Sequence, residues 1–224
     1  MRPIVIAHRG ASAYEPENSL AAFRKAVRLG ADGIELDVHA TADGKLAVIH
    51  DGVLDGRAIG SQEWSSVRRH RLPNGEPVPA LEEALDAIGE GVLVFVEVKA
   101  LPPWFDQALL GALERAPAPG NCRVHAFDHR IVRRLRTKRP DLRCGVLSAS
   151  YPVDPLRQVS DAMASDLWQE ESMIDAELLE LAARREISVY AWTVDSPERM
   201  RLLASWGVSG VCTNRPDVAL EVLR

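Results

Sequence analysis

Two pairs of charged residues stand within hydrophobic runs, and the members of each pair are two residues apart. Glu35 and Asp37 lie in one run, and Glu97 and Lys99 lie in a later one. Side chains two residues apart on a strand point to the same face of the sheet. Three carboxylates facing one site would repel one another unless a cation neutralised them. Oxygen ligands without cysteine favour a hard divalent cation, Mg²⁺ or Ca²⁺, over a structural zinc ion.

Two histidines and an arginine stand at the ends of other hydrophobic runs. The first run of the chain ends in His8-Arg9, and a later one ends in His50. Histidines beside a metal suit acid–base chemistry near neutral pH, although either could instead be a metal ligand. The planar guanidinium of Arg9 suits the oxygens of a phosphate, and Lys99 adds a point charge. With a metal that polarises a phosphoryl oxygen, these residues predict cleavage of a phosphate ester.

Each of these residues also has an ordinary structural interpretation. A Glu-x-Asp pair on a strand is commonly salt-bridged or exposed, and Lys99 could balance Glu97. Trp192, which stands near the end of another hydrophobic run, could belong to the core. The functional interpretation depends on their coincidence at one predicted face. Burying so many polar groups without a ligand or an ion would be costly.

Eight hydrophobic runs separated by helical patterns predict eight buried parallel strands. The predicted strands are residues 4–8, 33–38, 92–98, 123–127, 144–147, 162–165, 189–194 and 210–212. The helix after the first strand has a cap at Asn18 or Ser19 and ends at Gly30. This alternation favours a (β/α)₈ TIM barrel, whose active site lies at the carboxyl ends of the strands. A doubly wound open sheet is the main alternative.

One segment departs from the alternation of strands and helices. Asp43-Gly44 separates two apolar runs, which is typical of a β-hairpin. We therefore predict that residues 45–50 run antiparallel to the second strand. They form a short hairpin excursion from the barrel, and this excursion carries His50 and Asp51 at its end.

Composition restricts the class of protein. The 224 residues are 46% hydrophobic, which predicts one domain over residues 1–224. A net charge of −5 argues against nucleic-acid binding. No run approaches the roughly 18 apolar residues of a membrane-spanning helix, so we expect a cytoplasmic protein without membrane insertion.

Cys122, Cys144 and Cys212 lack metal-site spacing and are expected to be buried thiols. Composition does not indicate an oligomeric state.

A series of linked motifs extends over nearly the whole chain, from His8 to Pro216. The motifs are HRG, PENS, GADGIELDVHATADGKLAVIHD, VFVEVK, PALEEAL, YAWTVD and GVSGVCTNRP. In combination they resemble the glycerophosphodiester phosphodiesterase family. The resemblance implies a TIM barrel that hydrolyses glycerophosphodiesters, small-molecule substrates, to glycerol 3-phosphate and an alcohol. It also implies that the glycerol 2-hydroxyl attacks phosphorus and that water then opens a cyclic phosphate.

The resemblance further implies a role for each residue of the expected site. These roles are an acid–base pair, His8 and His50; ligands of one divalent cation, Glu35, Asp37 and Glu97; and substrate-binding residues, Arg9, Lys99 and Trp192. Asp51 would orient the histidine that precedes it.

Some positions depart from the family pattern, and two alternative functions follow. Ser19, Ala126 and Asn214 replace the usual threonine, serine and aspartate, and the segment 52–79 is compact. None of these changes removes an expected ligand or acid–base residue. The compact segment could leave a cleft for a larger substrate, as in lysophospholipase D-type enzymes. A non-catalytic phosphoester-binding barrel is the other alternative, although such a protein would not need an acid–base pair.

Overall fold

The hydrophobic runs become strands that pair in parallel and close into a barrel. A computed structural model of the chain describes residues 2–224. Within them the strands are β1 (Ile4–Ala7), β2 (Gly33–Ala40), β3 (Leu46–Val48), β4 (Val53–Leu54), β5 (Arg57–Ala58), β6 (Leu93–Ala100), β7 (Cys122–Ala126), β8 (Cys144–Ser148), β9 (Asp166–Glu170), β10 (Ser188–Trp192) and β11 (Gly210–Thr213). Eight of them form the barrel in the order β1, β2, β6, β7, β8, β9, β10 and β11, and β1 closes it by pairing with β11. The predicted TIM barrel is confirmed.

Helices lie between the barrel strands and after the last of them. They are α1 (Leu20–Leu29), α2 (Trp64–Val67), α3 (Leu81–Ile88), α4 (Asp106–Glu114), α5 (His129–Lys138), α6 (Arg157–Asp161), α7 (Ala176–Arg184), α8 (Pro197–Ser205) and α9 (Pro216–Val222). The predicted caps of α1 are present. The Ser19 side chain accepts a hydrogen bond from the backbone N–H of Ala22, and Gly30 ends the helix with a φ of 84°.

One predicted strand is wrong. The sixth barrel strand is β9, whereas residues 162–165 form the turn between α6 and β9. The sequence of β9 is not an apolar run, because its buried Asp166 and Gln169 are polar. Asp166 is compensated by Arg143, whose Nη2 donates to Oδ1 over 3.1 Å. The other seven predicted strands are present, with ends shifted by no more than two residues.

Three aromatic rings fill the interior of the barrel below its mouth. The centroids of Phe95, Trp168 and Tyr190 lie 5.0–5.4 Å apart. Facing glycines leave room for these rings: Gly33, Gly145 and Gly210. A Cβ atom at Gly145 would lie 2.8 Å from Cδ1 of Trp168, which is closer than packed atoms approach. The barrel is therefore closed by side chains beneath the site.

The predicted hairpin excursion is also present. Strand β3 pairs antiparallel with β2, and Val48 lies opposite Val38. The segment that follows packs around a small hydrophobic cluster of its own: Ala47, Leu54, Ile59, Val67 and Val78. The hairpin segment therefore has a small hydrophobic cluster of its own, while Leu46 and Val48 of β3 pack in the main core of the barrel.

The three cysteines are buried and free, as the sequence predicts. Burial raises the pKa of the Cys144 thiol to about 12.

Among residues 2–224, every helix is too short or too polar to cross a lipid bilayer.

Gly145→Val is expected to lower the free energy of unfolding by about 1–3 kcal/mol, because the new side chain would overlap the Trp168 indole. Urea denaturation followed by circular dichroism measures the effect. Gly91→Ala is the control, since a Cβ atom there meets nothing within 4 Å. Equal stability of Gly145→Val and the wild type would contradict this packing.

Candidate active site

The predicted acidic residues lie together at the carboxyl end of two neighbouring strands. Strands β2 and β6 pair in parallel, and Asp37 lies directly opposite Glu97. The exposed fractions of Glu35, Asp37 and Glu97 are only 2%, 0% and 8%. Because inward-pointing residues alternate along each strand, this register places all three carboxyl groups inside the barrel mouth.

The three carboxyl groups differ in their affinity for protons. Burial, followed by repulsion from Asp37 and Glu97, raises the pKa of Glu35 well above its ordinary value. Burial and the charge of Asp37 raise the pKa of Glu97 to about 7. Burial also acts to raise the pKa of Asp37, but the charges of Arg9 and Lys99 outweigh it and lower that pKa. Asp37 is therefore the fixed negative charge of the group.

Asp37 is held by a dense set of polar contacts. Nε of Arg9 lies 3.1 Å from Oδ2, and Nζ of Lys99 lies 3.4 Å from Oδ1. Lys99 also lies 2.7 Å from Oε1 of Glu97. The Asn18 amide donates to Oδ2 of Asp37 over 2.8 Å, and its carbonyl accepts the Asp37 N–H over 3.2 Å. Both expected phosphate-binding cations therefore lie in the barrel mouth.

The turn after β1 fixes the position of Arg9. Its φ is 55°, in the left-handed region, and its backbone N–H donates to Oε2 of Glu35 over 3.1 Å. Gly10 follows with a φ of 80°, and a Cβ atom there would lie 2.7 Å from the carbonyl carbon of Ala22. Only glycine fits this close approach of the turn to α1.

A polar chain orients His8. Its Nδ1 lies 2.8 Å from Oδ1 of Asn214, whose amide nitrogen donates to Oδ2 of Asp195 over 2.6 Å. Because the Asp195 carboxylate fixes the amide orientation, Oδ1 of Asn214 must accept from His8. The proton of neutral His8 is therefore on Nδ1, which leaves Nε2 as the basic nitrogen. Burial and then the charge of Arg9 lower the pKa of His8.

His50 reaches the mouth from the hairpin. The backbone N–H of Ile49 donates to the carbonyl of Asp37 over 3.1 Å, which holds this segment against β2. Nδ1 of His50 lies 3.0 Å from Oδ1 of Asp51, and the His50 side chain is 34% exposed. His50 borders a cavity of about 250 Å³ that is distinct from the smaller cavity beside His8.

His125 is a buried site residue that the sequence analysis missed. It lies on β7 directly opposite Glu97, is 1% exposed, and stacks on Trp168 with ring centroids 4.1 Å apart. Burial lowers the pKa of His125 to about 3, so the ring is neutral. Possible ligand atoms of His125, Glu35 and Glu97 all lie within 4.8 Å of one another. Its position in a predicted strand that neighbours the strand of Glu97 was the feature of the sequence that could have indicated His125 as a site residue.

The buried oxygen and nitrogen atoms at the barrel mouth fit the ligands of a divalent cation. Several buried polar atoms here have no hydrogen-bond partner: Oε1 of Glu35, Nδ1 of His125 and Nε1 of Trp192, while Oδ1 of Asp37 has only the ion pair with Lys99. A cavity of about 20 Å³ adjoins part of this group, and its polar border includes His8, Glu35, Glu97, His125 and Trp192. Buried carboxylate oxygens without donors are unfavourable, and a cation would compensate them. The cavity has room for one small ion or one water molecule.

Buried acids, imidazoles and cations lie together at the mouth of a TIM barrel, and comparison with known proteins shows the family to which this site belongs. Residues 8–218 match the glycerophosphoryl diester phosphodiesterase family. A glycerophosphodiester phosphodiesterase of Caldanaerobacter subterraneus subsp. tengcongensis is 32% identical, with 100% of this chain and 99% of that protein covered. The chain therefore belongs to the glycerophosphoryl diester phosphodiesterase family. It is an enzyme, a phosphoric diester hydrolase that acts on glycerophosphodiesters.

Solved structures share the fold. A glycerophosphodiester phosphodiesterase from Thermotoga maritima is 26% identical with a TM-score of 0.83, and 99% of each chain is covered. A phosphodiesterase from Oleispira antarctica, in complex with its product sn-glycerol-3-phosphate, has a TM-score of 0.90 at 22% identity. That comparison covers 99% of this chain and 96% of the other.

Asn214→Leu is expected to lower kcat at least about tenfold with little change in KM, because His8 loses the acceptor that fixes its tautomer. The pKa of His8 should fall further, since the hydrogen bond with Asn214 acts to raise it. Steady-state kinetics and an NMR titration of the histidines measure the two effects. Asn121→Leu is the control, because the Asn121 amide donates to the Glu90 carbonyl at the amino end of β7, the opposite end of the barrel from His8. Unchanged kcat and an unchanged His8 titration would refute the positioning role.

Proposed function

We propose that the enzyme is metal-dependent and that His8 and His50 are its acid–base pair. The products are glycerol 3-phosphate and an alcohol. The observation that carries this proposal is that each of the two imidazoles is held near the buried acids by its own set of hydrogen bonds. His8 is oriented by Asn214, and the hairpin backbone bonds to Asp37 one residue before His50.

Glu35, Asp37 and Glu97 are the proposed ligands of one divalent cation, Mg²⁺ or Ca²⁺. The buried Oε1 of Glu35, which has no hydrogen-bond partner, supports this assignment, as does Oδ1 of Asp37, which has only the ion pair with Lys99 at 3.4 Å. A cation bound here supplies positive charge that polarises a phosphoryl oxygen and stabilises negative charge in the transition state.

The side chains around the carboxylates have complementary roles in this proposal. Arg9 and Lys99 bind the phosphate oxygens, and Trp192 packs against the glycerol or the alcohol. Nε2 of His8 removes the proton from the attacking glycerol 2-hydroxyl, because burial keeps this imidazole neutral. His50 donates a proton to the departing alcohol oxygen, and Asp51 orients it. Water then opens the resulting cyclic phosphate.

We also propose that residues 1–224 form one domain, because β1 pairs with β11 and so joins the two ends of the chain. A cytoplasmic location and the lack of a nucleic-acid partner stay predictions from composition.

His8→Ala and His50→Ala are each expected to lower kcat by about 10²-fold or more, since each removes one proton-transfer group. Assays on glycerophosphocholine and glycerophosphoethanolamine with Mg²⁺, Ca²⁺ or EDTA measure this, and EDTA should abolish turnover. His129→Gln is the matched control, because within residues 2–224 the His129 side chain makes one hydrogen bond, to the Leu147 carbonyl. Metal-independent turnover, or full activity in either alanine variant, would overturn the mechanism.

A larger substrate is a second candidate, and exposed apolar side chains favour it. They lie in loops that follow β6, β7 and β8: Trp104 (75% exposed), Phe127 (49%), Tyr151 (41%) and Val153 (107%). Phe127 packs edge-to-face against Trp192 at 5.6 Å between ring centroids. An acyl chain on the glycerol of a lysophospholipid could therefore contact this side of the mouth.

We expect kcat/KM to be higher on glycerophosphocholine than on lysophosphatidylcholine, because the first candidate needs no acyl contact. Phe127→Ser tests the second candidate, and Met163→Ser is its control, since Met163 is also half-exposed but follows α6 at the opposite end of the barrel. Faster turnover of the lysophospholipid, with a selective loss in Phe127→Ser, would instead establish the larger substrate.

A further inference from the structure

We infer that His125 is an additional ligand of the divalent cation and that it favours Mn²⁺ over Ca²⁺ at this site. The inference rests on the proposed function, because it concerns the same cation. It adds an imidazole nitrogen to the carboxylate oxygens that the sequence alone indicates.

The strand register brings His125 into the group. In the parallel pairing, Glu97 lies between Asp37 on β2 and His125 on β7. Nε2 of His125 is 4.0 Å from Oε1 of Glu35. Two ligand atoms on one ion lie about 3–4.5 Å apart when each bond is about 2.1–2.4 Å long. The group is therefore close to ligating geometry without a change in the backbone.

The imidazole is buried but has no hydrogen bond to another residue in the part of the chain that the structure describes. Nδ1 is without a partner, and the distance from Nε2 to Glu35 is too long for a hydrogen bond. Stacking on Trp168, with an interplanar angle of 5°, fixes the ring. A polar ring that is held rigidly beside a small cavity and has no partner fits a metal ligand better than a structural side chain.

Ligand chemistry determines which cation binds more tightly when His125 is one of its ligands. Ca²⁺ takes oxygen ligands, whereas first-row transition ions also bind imidazole nitrogen well. Two or three carboxylates with one imidazole suit Mn²⁺, which accepts both types of donor. Loss of the imidazole should therefore weaken Mn²⁺ binding and leave Ca²⁺ binding nearly unchanged.

Calorimetric titration of Mn²⁺ and of Ca²⁺ into the EDTA-treated full chain tests the inference. His125→Gln is expected to weaken Mn²⁺ binding by about tenfold or more, and to change Ca²⁺ binding by less than about threefold. His129→Gln is the matched control and should bind both ions as the wild type does. Equal weakening of both ions, or no weakening of Mn²⁺, would overturn the inference.

A spectroscopic measurement on the wild type keeps the test valid if His125→Gln does not fold. Pulsed electron paramagnetic resonance of the Mn²⁺-loaded protein should detect coupling to an imidazole nitrogen. Absence of that coupling overturns the role of His125 while leaving the proposed function intact. Failure of the folded wild type to bind any of Mg²⁺, Ca²⁺ or Mn²⁺ overturns the proposed metal dependence as well.

Discussion

Mutual repulsion among three buried carboxyl groups is the constraint on which the barrel mouth depends. Glu35, Asp37 and Glu97 are removed from water, which strengthens their repulsion and raises the cost of charging them. Arg9 and Lys99 offset the charge of Asp37, but the pKa values of Glu35 and Glu97 are still raised. The surrounding cationic and amide side chains compensate part of this negative charge. The small cavity beside it has room for one added cation.

The scaffold imposes this arrangement through strand register and close packing. Parallel pairing sets Asp37 level with Glu97, and three aromatic rings in edge-to-face and tilted contact fill the barrel beneath them. Gly10 allows the first loop to turn against α1, so that the Arg9 backbone reaches Glu35. The rigidity of the site therefore comes from hydrophobic packing below it and from backbone geometry above it.

The sequence predicted the barrel and the residues at its mouth because both follow from local patterns. Period-two spacing indicated the shared face of Glu35 and Asp37, and Asp43-Gly44 indicated the hairpin. The strand β9 was missed because tertiary partners such as Arg143 make its polar residues tolerable in the interior. His125 was missed because its significance depends on its register with Glu97 on the neighbouring strand, and a single run of residues does not fix that register.

The two proposed catalytic histidines come from structural elements whose packing is only partly shared. His8 extends from a barrel strand, whereas His50 belongs to a segment with a hydrophobic cluster of its own. Several residues that border the cavity of about 250 Å³ beside His50, among them His70, Leu72 and Pro73, lie outside the eight barrel strands. If His50 protonates the departing alcohol as proposed, substitutions there can change selectivity for the alcohol during evolution with little effect on the stability of the barrel.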